Sequence, residues 1–262
     1  MKKIKNYFVL FIFSIVFLSG CKEYIRQNLF PAPKDQIIPE IGNDKLIEVQ
    51  NEDRISKGLL SKSGDSLVVI YHGNGSLISN EVIAAKYFYE NNFSVLLVEY
   101  PSYGISSKYE VSEDNIYSDA EALLNYLKQE KLFTNDNIYL LGRSLGCGVA
   151  VEMAKRGYGS KLVLITPFTS IPDMAKRNFP EKMVDKLIVD KFSNIDKAKD
   201  INLPVLIIHG DKDTTTPYEM SVRLSKEFPD AELITLDTDQ HRNIYEVIDS
   251  DTWDKIKQFL IK

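Results

Sequence analysis

Ser144 stands in the pentapeptide Gly142-Arg143-Ser144-Leu145-Gly146, directly after an apolar run at 138–141 and at the start of a helix-like run. A serine on a tight strand-to-helix turn is held in a strained backbone that pushes its hydroxyl above the sheet, and glycines two residues to either side remove side chains that would clash there. Such a serine becomes a nucleophile when a base takes its proton and an acid orients the base. Downstream, a buried-strand run at 204–208 continues through His209-Gly210 into Asp211-Lys212-Asp213, and a second run at 231–236 precedes Asp237-Thr238-Asp239-Gln240-His241. His241 is the candidate base. Asp211 and Asp213 compete as the acid, and Asp237 and Asp239 are near enough to His241 in sequence to be a third option. His72 and His209 sit at strand ends, where ring N–H groups more often tie loops together. After the strand-like run at 66–71 comes His72-Gly73-Asn74-Gly75, a turn suited to aim the backbone N–H of Asn74, together with that of Leu145, at developing negative charge. Each such donor is worth about 3 kcal/mol of transition-state stabilisation. The chemistry these residue types predict is two-step acyl transfer.

Those groups need a frame. Apolar runs at 67–71, 94–98, 138–141, 162–165, 204–208 and 232–236 read as buried parallel strands, and helical stretches fall at 79–91, 115–131, 144–156, 217–227 and 251–261. Strands alternating with helices predict an α/β fold with a mostly parallel central sheet and helices on both faces. Residues 46–50 and 55–60 read as antiparallel edge strands. Ser112-Glu113-Asp114 places acids at the positive end of the helix that follows. Between two strand runs, 171–203 mixes Phe179, Met183, Leu187, Ile188, Val189 and Phe192 with lysines. It reads as a short helical cap whose apolar face covers the nucleophile and accepts an acyl chain, or simply packs onto the body; the two are compatible.

Taken jointly, H-G-N-G at 72–75, E-Y-P-S-Y-G at 99–104, G-R-S-L-G at 142–146, T-P-F-T-S at 166–170, I-I-H-G-D-K-D at 207–213 and His241-Arg242-Asn243 resemble the α/β-hydrolase superfamily. More narrowly, they resemble its serine esterase branch, which includes protein depalmitoylases and lysophospholipases. The resemblance covers roughly residues 28–262. It implies the α/β-hydrolase fold, the chain order Ser, Asp, His, Ser144 as nucleophile, Asp213 as acid, His241 as base, and no cofactor. His209 precedes the acid, so the family order excludes it as base. Two departures stand out: Ser102 where the branch usually has Gly, and Asp237 to Gln240 where a Gly usually precedes the His. The implied substrate is a small-molecule or lipidic carboxylic ester or thioester. The superfamily also holds peptidases and non-catalytic members, so a serine peptidase and a lipid-anchored binding protein are the alternative readings. The complete Ser, His and Asp set counts against the second.

The N-terminus carries a separate message. Lys2, Lys3 and Lys5 precede an apolar run at 7–18 and then Leu18-Ser19-Gly20-Cys21, the pattern of a signal peptide that resembles those of bacterial lipoproteins. An apolar run of about a dozen residues is too short to cross a hydrocarbon core of about 30 Å. The expectation is a signal peptide at 1–20, a diacylated Cys21 holding the protein on a membrane of the cell envelope, a tether at 21–41 containing Pro31, Pro33 and Pro39, whose Asn28-Leu29-Phe30-Pro31 is alternatively read as packing on the body, and a hydrolase domain at 42–262 with its cap at 171–203. The competing reading of that run is a short anchor that stays uncleaved. Cys147 is the other of the two cysteines, so lipidation of Cys21 leaves no intramolecular disulfide. One helical turn beyond Ser144, Cys147 reads as a small buried apolar residue. With 37 acidic against 32 basic residues the net charge is −5, which argues against nucleic-acid binding. Neither His-x-x-x-His nor clustered Cys and His occurs, so no metal site is expected.

Overall fold

The computed structural model describes residues 24–262; the expected signal peptide and Cys21 lie outside them. Eight strands form one sheet: β1 (Asp44–Asn51), β2 (Arg54–Ser61), β3 (Leu67–Tyr71), β4 (Ser94–Glu99), β5 (Ile138–Arg143), β6 (Lys161–Ile165), β7 (Val205–Gly210) and β8 (Ala231–Leu236). Their order is β1-β2-β4-β3-β5-β6-β7-β8. The pairs β1–β2 and β2–β4 are antiparallel and the rest are parallel, giving the α/β-hydrolase fold that the sequence predicts. Every residue of β3, β4, β5 and β7 is buried, which is why these strands read as unbroken apolar runs.

Two strand expectations need correction. β2 is an interior strand paired on both sides, with Leu59 opposite Leu46 and Leu97. β8, expected to be buried, is the edge strand, and its side chains are half-buried or exposed. An apolar run reports a strand, but neither how fully it is covered nor which strand lies beside it.

Alternating side chains divide the core between two faces. Val69, Leu96, Leu140, Leu164 and Ile207 meet the helices at Glu113–Gln129, Leu145–Lys155 and Tyr218–Glu227. Val68, Val95, Leu97, Leu141, Val163 and Ile208 meet the helices at Val82–Glu90 and Ser250–Ile261. We call these five helices, in chain order, α1 (Val82–Glu90), α2 (Glu113–Gln129), α3 (Leu145–Lys155), α7 (Tyr218–Glu227) and α9 (Ser250–Ile261); the shorter ones are α4 (Ile171–Lys176), α5 (Glu181–Leu187), α6 (Asn194–Ala198) and α8 (Ile244–Val247). The side chain of Ser112 caps α2 by accepting the Asn115 N–H at 3.1 Å.

Between β6 and β7 the chain forms α4 (Ile171–Lys176), α5 (Glu181–Leu187) and α6 (Asn194–Ala198). Of the two readings of the stretch at 21–41, packing of residues 28–31 on the body is the one seen where it is described. Residues 24–29 are helical, and Phe30 is buried at 3% exposure with its ring edge-on to Phe192. Arg26 Nε bonds Asp190 Oδ2 at 2.7 Å, and Asp190 Oδ1 accepts the Glu113 N–H at 2.8 Å. Apolar Phe30 and cationic Arg26 thus fasten this stretch to the body.

Candidate active site

The turn from β5 into α3 carries Ser144 at φ 51° and ψ −116°, a region non-glycine residues seldom occupy. Its N–H donates to the Ile165 carbonyl at 2.9 Å, fixing the turn to the end of β6. The flanking glycines are steric requirements. A Cβ on Gly142 would lie 2.5 Å from the Gly146 carbonyl carbon and 2.6 Å from Cys147 Cα, and one on Gly146 would lie 2.5 Å from the Tyr71 carbonyl carbon. Cys147 is buried, its Sγ donates to the Gly142 carbonyl at 3.1 Å, and burial pushes its thiol pKa up.

The half-buried Ser144 hydroxyl lies 2.9 Å from His241 Nε2, and His241 Nδ1 lies 2.6 Å from Asp213 Oδ2. With Nδ1–H donating to the carboxylate, Nε2 faces the serine as an acceptor. Of the four acids weighed from sequence, the structure brings only Asp213 to His241 among the described residues. Asp211 is exposed, Asp237 pairs with Lys212, and Asp239 accepts from the Gln240 amide at 2.8 Å.

Asp213 is anchored from several sides. The N–H groups of Thr215 and Thr216 donate to Oδ1 at 2.8 and 3.0 Å. His209 Nε2 lies 3.2 Å from Oδ2 and 3.0 Å from the Thr216 carbonyl oxygen. Both of those oxygens only accept, so Nε2 carries a proton and donates. Burial by itself would raise the Asp213 pKa, but hydrogen bonds from His209, His241 and the Thr216 N–H outweigh it and hold the carboxyl well below the usual range. The sequence reading gave His209 only a loop-tying role. Its place four residues before Asp213, at the end of a buried strand, was the available signal.

On the other side of Ser144 lies the loop after β3. Gly73 is so close that a Cβ there would sit 3.4 Å from the Ser144 Cβ. The Asn74 side chain is tied down at both ends: its Nδ2 donates to the Leu29 carbonyl at 2.7 Å, and its Oδ1 accepts from Tyr103 Oη at 2.7 Å. Leu145 is the first residue of α3, where a helix leaves its N–H without an intrahelical partner. Beneath the loop, the buried His72 ring stacks on Tyr100 at 3.9 Å, and Tyr100 Oη donates to the His72 carbonyl at 2.8 Å.

Arg143, the residue before Ser144, is buried beside Glu81, with Nε 3.1 Å from Oε1 and Nη2 2.9 Å from Ser76 Oγ. Tyr245 Oη donates to the same carboxylate at 2.7 Å. Burial acts to lower the Arg143 pKa, but the charge and hydrogen bonds of Glu81 raise it further. This network braces the serine turn against the segment that follows His241, and the sequence reading did not single it out.

The two departures from the family pattern acquire physical reasons. Ser102 has φ 73°, a conformation glycine adopts at lower cost, and Lys34 Nζ donates to its carbonyl and hydroxyl at 2.6 and 2.8 Å. None of Asp237 to Gln240 has a positive φ, so no glycine is required there.

Above Ser144 is a pocket of about 350 Å³. Its walls include Leu29, Phe168, Ile171, Met174 and Ile188 beside Asn74 and Leu145, and among the described residues none that lines it is acidic. Among the described residues, no cluster of three or more His, Cys, Asp or Glu is placed to hold a metal ion.

A family model described as Hydrolase_4, serine aminopeptidase S33, matches residues 62–195, and one described as Abhydrolase_4, TAP-like protein, matches residues 187–261. Protein bem46 of Schizosaccharomyces pombe is 27% identical over 223 residues, covering 80% of this chain and 73% of that protein. Alpha/beta hydrolase domain-containing protein 17C of Xenopus tropicalis is 32% identical over 140 residues, 53% of this chain and 44% of that protein. Among solved structures, the Pyrococcus furiosus esterase Pf2001 superposes with a TM-score of 0.71 at 19% identity, covering 87% of this chain and 95% of that one. Est1E from Butyrivibrio proteoclasticus with ferulic acid bound superposes with a TM-score of 0.69 at 20% identity, covering 82% of this chain and 100% of that one. At those identities the structural likeness concerns the fold.

Proposed function

This chain belongs to the Hydrolase_4 family of α/β-hydrolases, described as serine aminopeptidase S33, and from that premise we propose that it is a serine hydrolase cleaving carboxylic esters or thioesters of apolar acyl groups. The observation that carries the reading is the hydrogen-bonded line from Ser144 through His241 to Asp213, on a strained turn beneath an apolar pocket. Ser144 Oγ attacks the acyl carbon while its proton passes to His241 Nε2. Asp213 keeps Nδ1 as the donor and stabilises the imidazolium. The N–H groups of Asn74 and Leu145 receive the oxyanion. Collapse breaks the bond to the leaving alcohol or thiol, which takes the proton from His241. Water then attacks the acyl-serine and gives its proton to the same nitrogen; collapse breaks the bond to Ser144 Oγ, which takes that proton back as the acid is released.

A peptidase that takes free amino termini needs a carboxylate facing the amine, and the pocket above Ser144 offers none. The test is hydrolysis of p-nitrophenyl esters from acetate to palmitate, with fluorophosphonate labelling, beside Ser144→Ala. Turnover and labelling that vanish in the variant are expected; labelling that survives it would overturn the assignment.

Lipid anchoring is a further part of the proposal, supported by the lysines, apolar run and cysteine that begin the sequence. Metabolic incorporation of labelled palmitate, lost in Cys21→Ala, is the expected result, and an unlabelled wild-type protein in a lipidating host refutes it.

A further inference from the structure

Asn74, whose N–H is one proposed oxyanion donor, stands between Gly73 and Gly75, and glycines give a loop little backbone preference of its own. The direction of that N–H is therefore set at the side chain. The Asn74 amide is where three segments meet: Nδ2 donates to the Leu29 carbonyl, and Oδ1 accepts from the Tyr103 hydroxyl, each at 2.7 Å. A planar amide held at both ends fixes the side-chain torsions, and with them the orientation of the Cα from which the N–H projects. The N-terminal stretch also grips the loop that carries Tyr103. The Pro33 carbonyl accepts the Gly104 N–H at 2.9 Å, and Lys34 Nζ donates to the Ser102 carbonyl at 2.6 Å. Two distant contacts seat the stretch itself: the Phe30 ring lies 6.1 Å from that of Phe192, and Arg26 donates through Nε and Nη2 to Asp190 at 2.7 and 3.3 Å. Asp190 is buried and accepts the Glu113 N–H as well. Beneath residues 24–29 lies a second apolar cavity, of about 300 Å³, with Leu29, Ala175 and Ile188 lining both it and the pocket above Ser144. Facing a cavity rather than close-packed atoms, this part of the stretch gains less from packing, which leaves more of its placement to Arg26.

We propose that Arg26 is a positioning residue for acyl transfer: by clasping Asp190 it seats residues 24–34 so that the Leu29 carbonyl holds the Asn74 amide and aims the Asn74 N–H at the developing oxyanion. This rests on the ester-hydrolase reading and adds to it a control of rate by a residue that does not line the pocket above Ser144. The route is short. Asp190 holds Arg26, the Phe30 N–H donates to the Arg26 carbonyl at 3.1 Å and closes the turn between them, and Leu29, inside that turn, presents its carbonyl to Asn74. A stretch that only packed on the body would need no bond to the loop beside Ser144, whereas this one bonds both that loop and the one carrying Tyr103. Oxyanion donors act on the transition state, so a donor turned aside lowers kcat and leaves KM nearly unchanged.

The experiment is a double-mutant cycle in the full chain, with kcat and KM measured on p-nitrophenyl butanoate. Arg26→Met removes the clasp, and Asn74→Ala keeps the backbone N–H but cuts the link to Leu29. Arg26→Met is expected to lower kcat about tenfold or more with KM within about twofold of the wild-type value, and Arg26→Lys to recover part of the loss. In the Asn74→Ala background, itself slowed, Arg26→Met should cause no further fall in kcat while still lowering the thermal midpoint. A purely structural role would move the midpoint alone. Wild-type kcat in folded Arg26→Met, or the same fold-loss in both backgrounds, overturns the positioning role and leaves the ester-hydrolase reading intact. If Arg26→Met does not fold, Asp190→Asn, which keeps an acceptor for the Glu113 N–H, takes its place in the cycle with the same outcomes. Should wild type turn over no ester, that reading fails by itself, and hydrogen exchange at the Ser76 N–H, which closes the loop on the Gly73 carbonyl at 3.2 Å, then decides the positioning role. Exchange about tenfold faster in Arg26→Met supports it, and equal exchange overturns it.

Discussion

Gly146→Ala tests whether the pairing of α3 with the end of β3 sets the catalytic geometry or merely accommodates it. The new methyl would lie 2.5 Å from the Tyr71 carbonyl carbon and 2.8 Å from the His72 carbonyl oxygen, both backbone atoms without a rotamer to yield. Ordinary contact needs about 3.5 Å, so the helix start and the strand end must separate by roughly 1 Å. Leu145, whose N–H is one proposed oxyanion donor, rides on the helix, and Asn74, which carries the other, follows the strand. A misplacement of that size costs on the order of a hundredfold in rate, whereas overpacking costs only about 1–3 kcal/mol of stability. The expectation is a kcat on p-nitrophenyl butanoate reduced about a hundredfold with KM little changed, since the donors act on the transition state. The thermal midpoint should fall by only about 2–10 °C. Gly157→Ala is the control: Gly157 has φ 85° and nothing within 4 Å of its would-be Cβ, so alanine strains the backbone far from the chemistry. It should lower the midpoint and keep the rate. Wild-type kcat in Gly146→Ala, or an equal rate loss in Gly157→Ala, would refute the argument.

Further substitutions read the network around Ser144, His241 and Asp213. Asp213 has a depressed folded pKa, so its stabilising hydrogen bonds contribute in full above the unfolded value of about 4 and are lost as pH falls through the folded value. The gap in thermal midpoint between wild type and Asp213→Asn should therefore narrow from about pH 5 to about pH 3; a pH-independent gap contradicts the linkage. Arg143→Met strands the buried Glu81 carboxylate, a loss of about 3–5 kcal/mol, or a fall of about 6–20 °C in midpoint for a chain of this size. Part of it should return in the double variant with Glu81→Leu, and calorimetry showing less than 1 °C of change in the single variant would count against the bracing role. His209→Phe keeps a ring but removes the donor to Asp213, and should lower kcat/KM about ten- to hundredfold. His209→Gln, which retains an N–H, should recover part of that rate, and equal rates in both variants would reduce His209 to packing.

The parts legible from sequence are those in which local backbone geometry dictates residue type. Ser144 announces itself because a strained turn excludes side chains at 142 and 146, and the central strands because burial on both faces demands unbroken apolar runs. From the residues alone the acid stays open among Asp211, Asp213, Asp237 and Asp239, at two strand ends, and distance is what separates a carboxylate 2.6 Å from His241 from one exposed to solvent two residues earlier. Features that depend on remote partners left no comparable trace. Arg26 and Asp190 are 164 residues apart, Arg143 and Glu81 62 apart, and β2 becomes an interior strand only because β4 turns back beside it.

This division has a chemical consequence. The groups proposed to make and break bonds sit on turns at the ends of β3, β5, β7 and β8, and the fold's local sterics constrain the residues around them. The walls proposed to meet an acyl group come from residues 24–29, held by the Arg26–Asp190 pair, and from α4 and α5. Reaction type is accordingly written in motifs, while substrate choice is written in packing between distant segments. Leu29 joins the two, because its side chain forms the wall between the cavities and its carbonyl anchors the Asn74 amide. An acyl tail long enough to press on Leu29 therefore acts on the same segment that orients an oxyanion donor. Chain length should thus register in kcat as well as in KM, and a profile confined to KM would mean that the wall and the donor move independently.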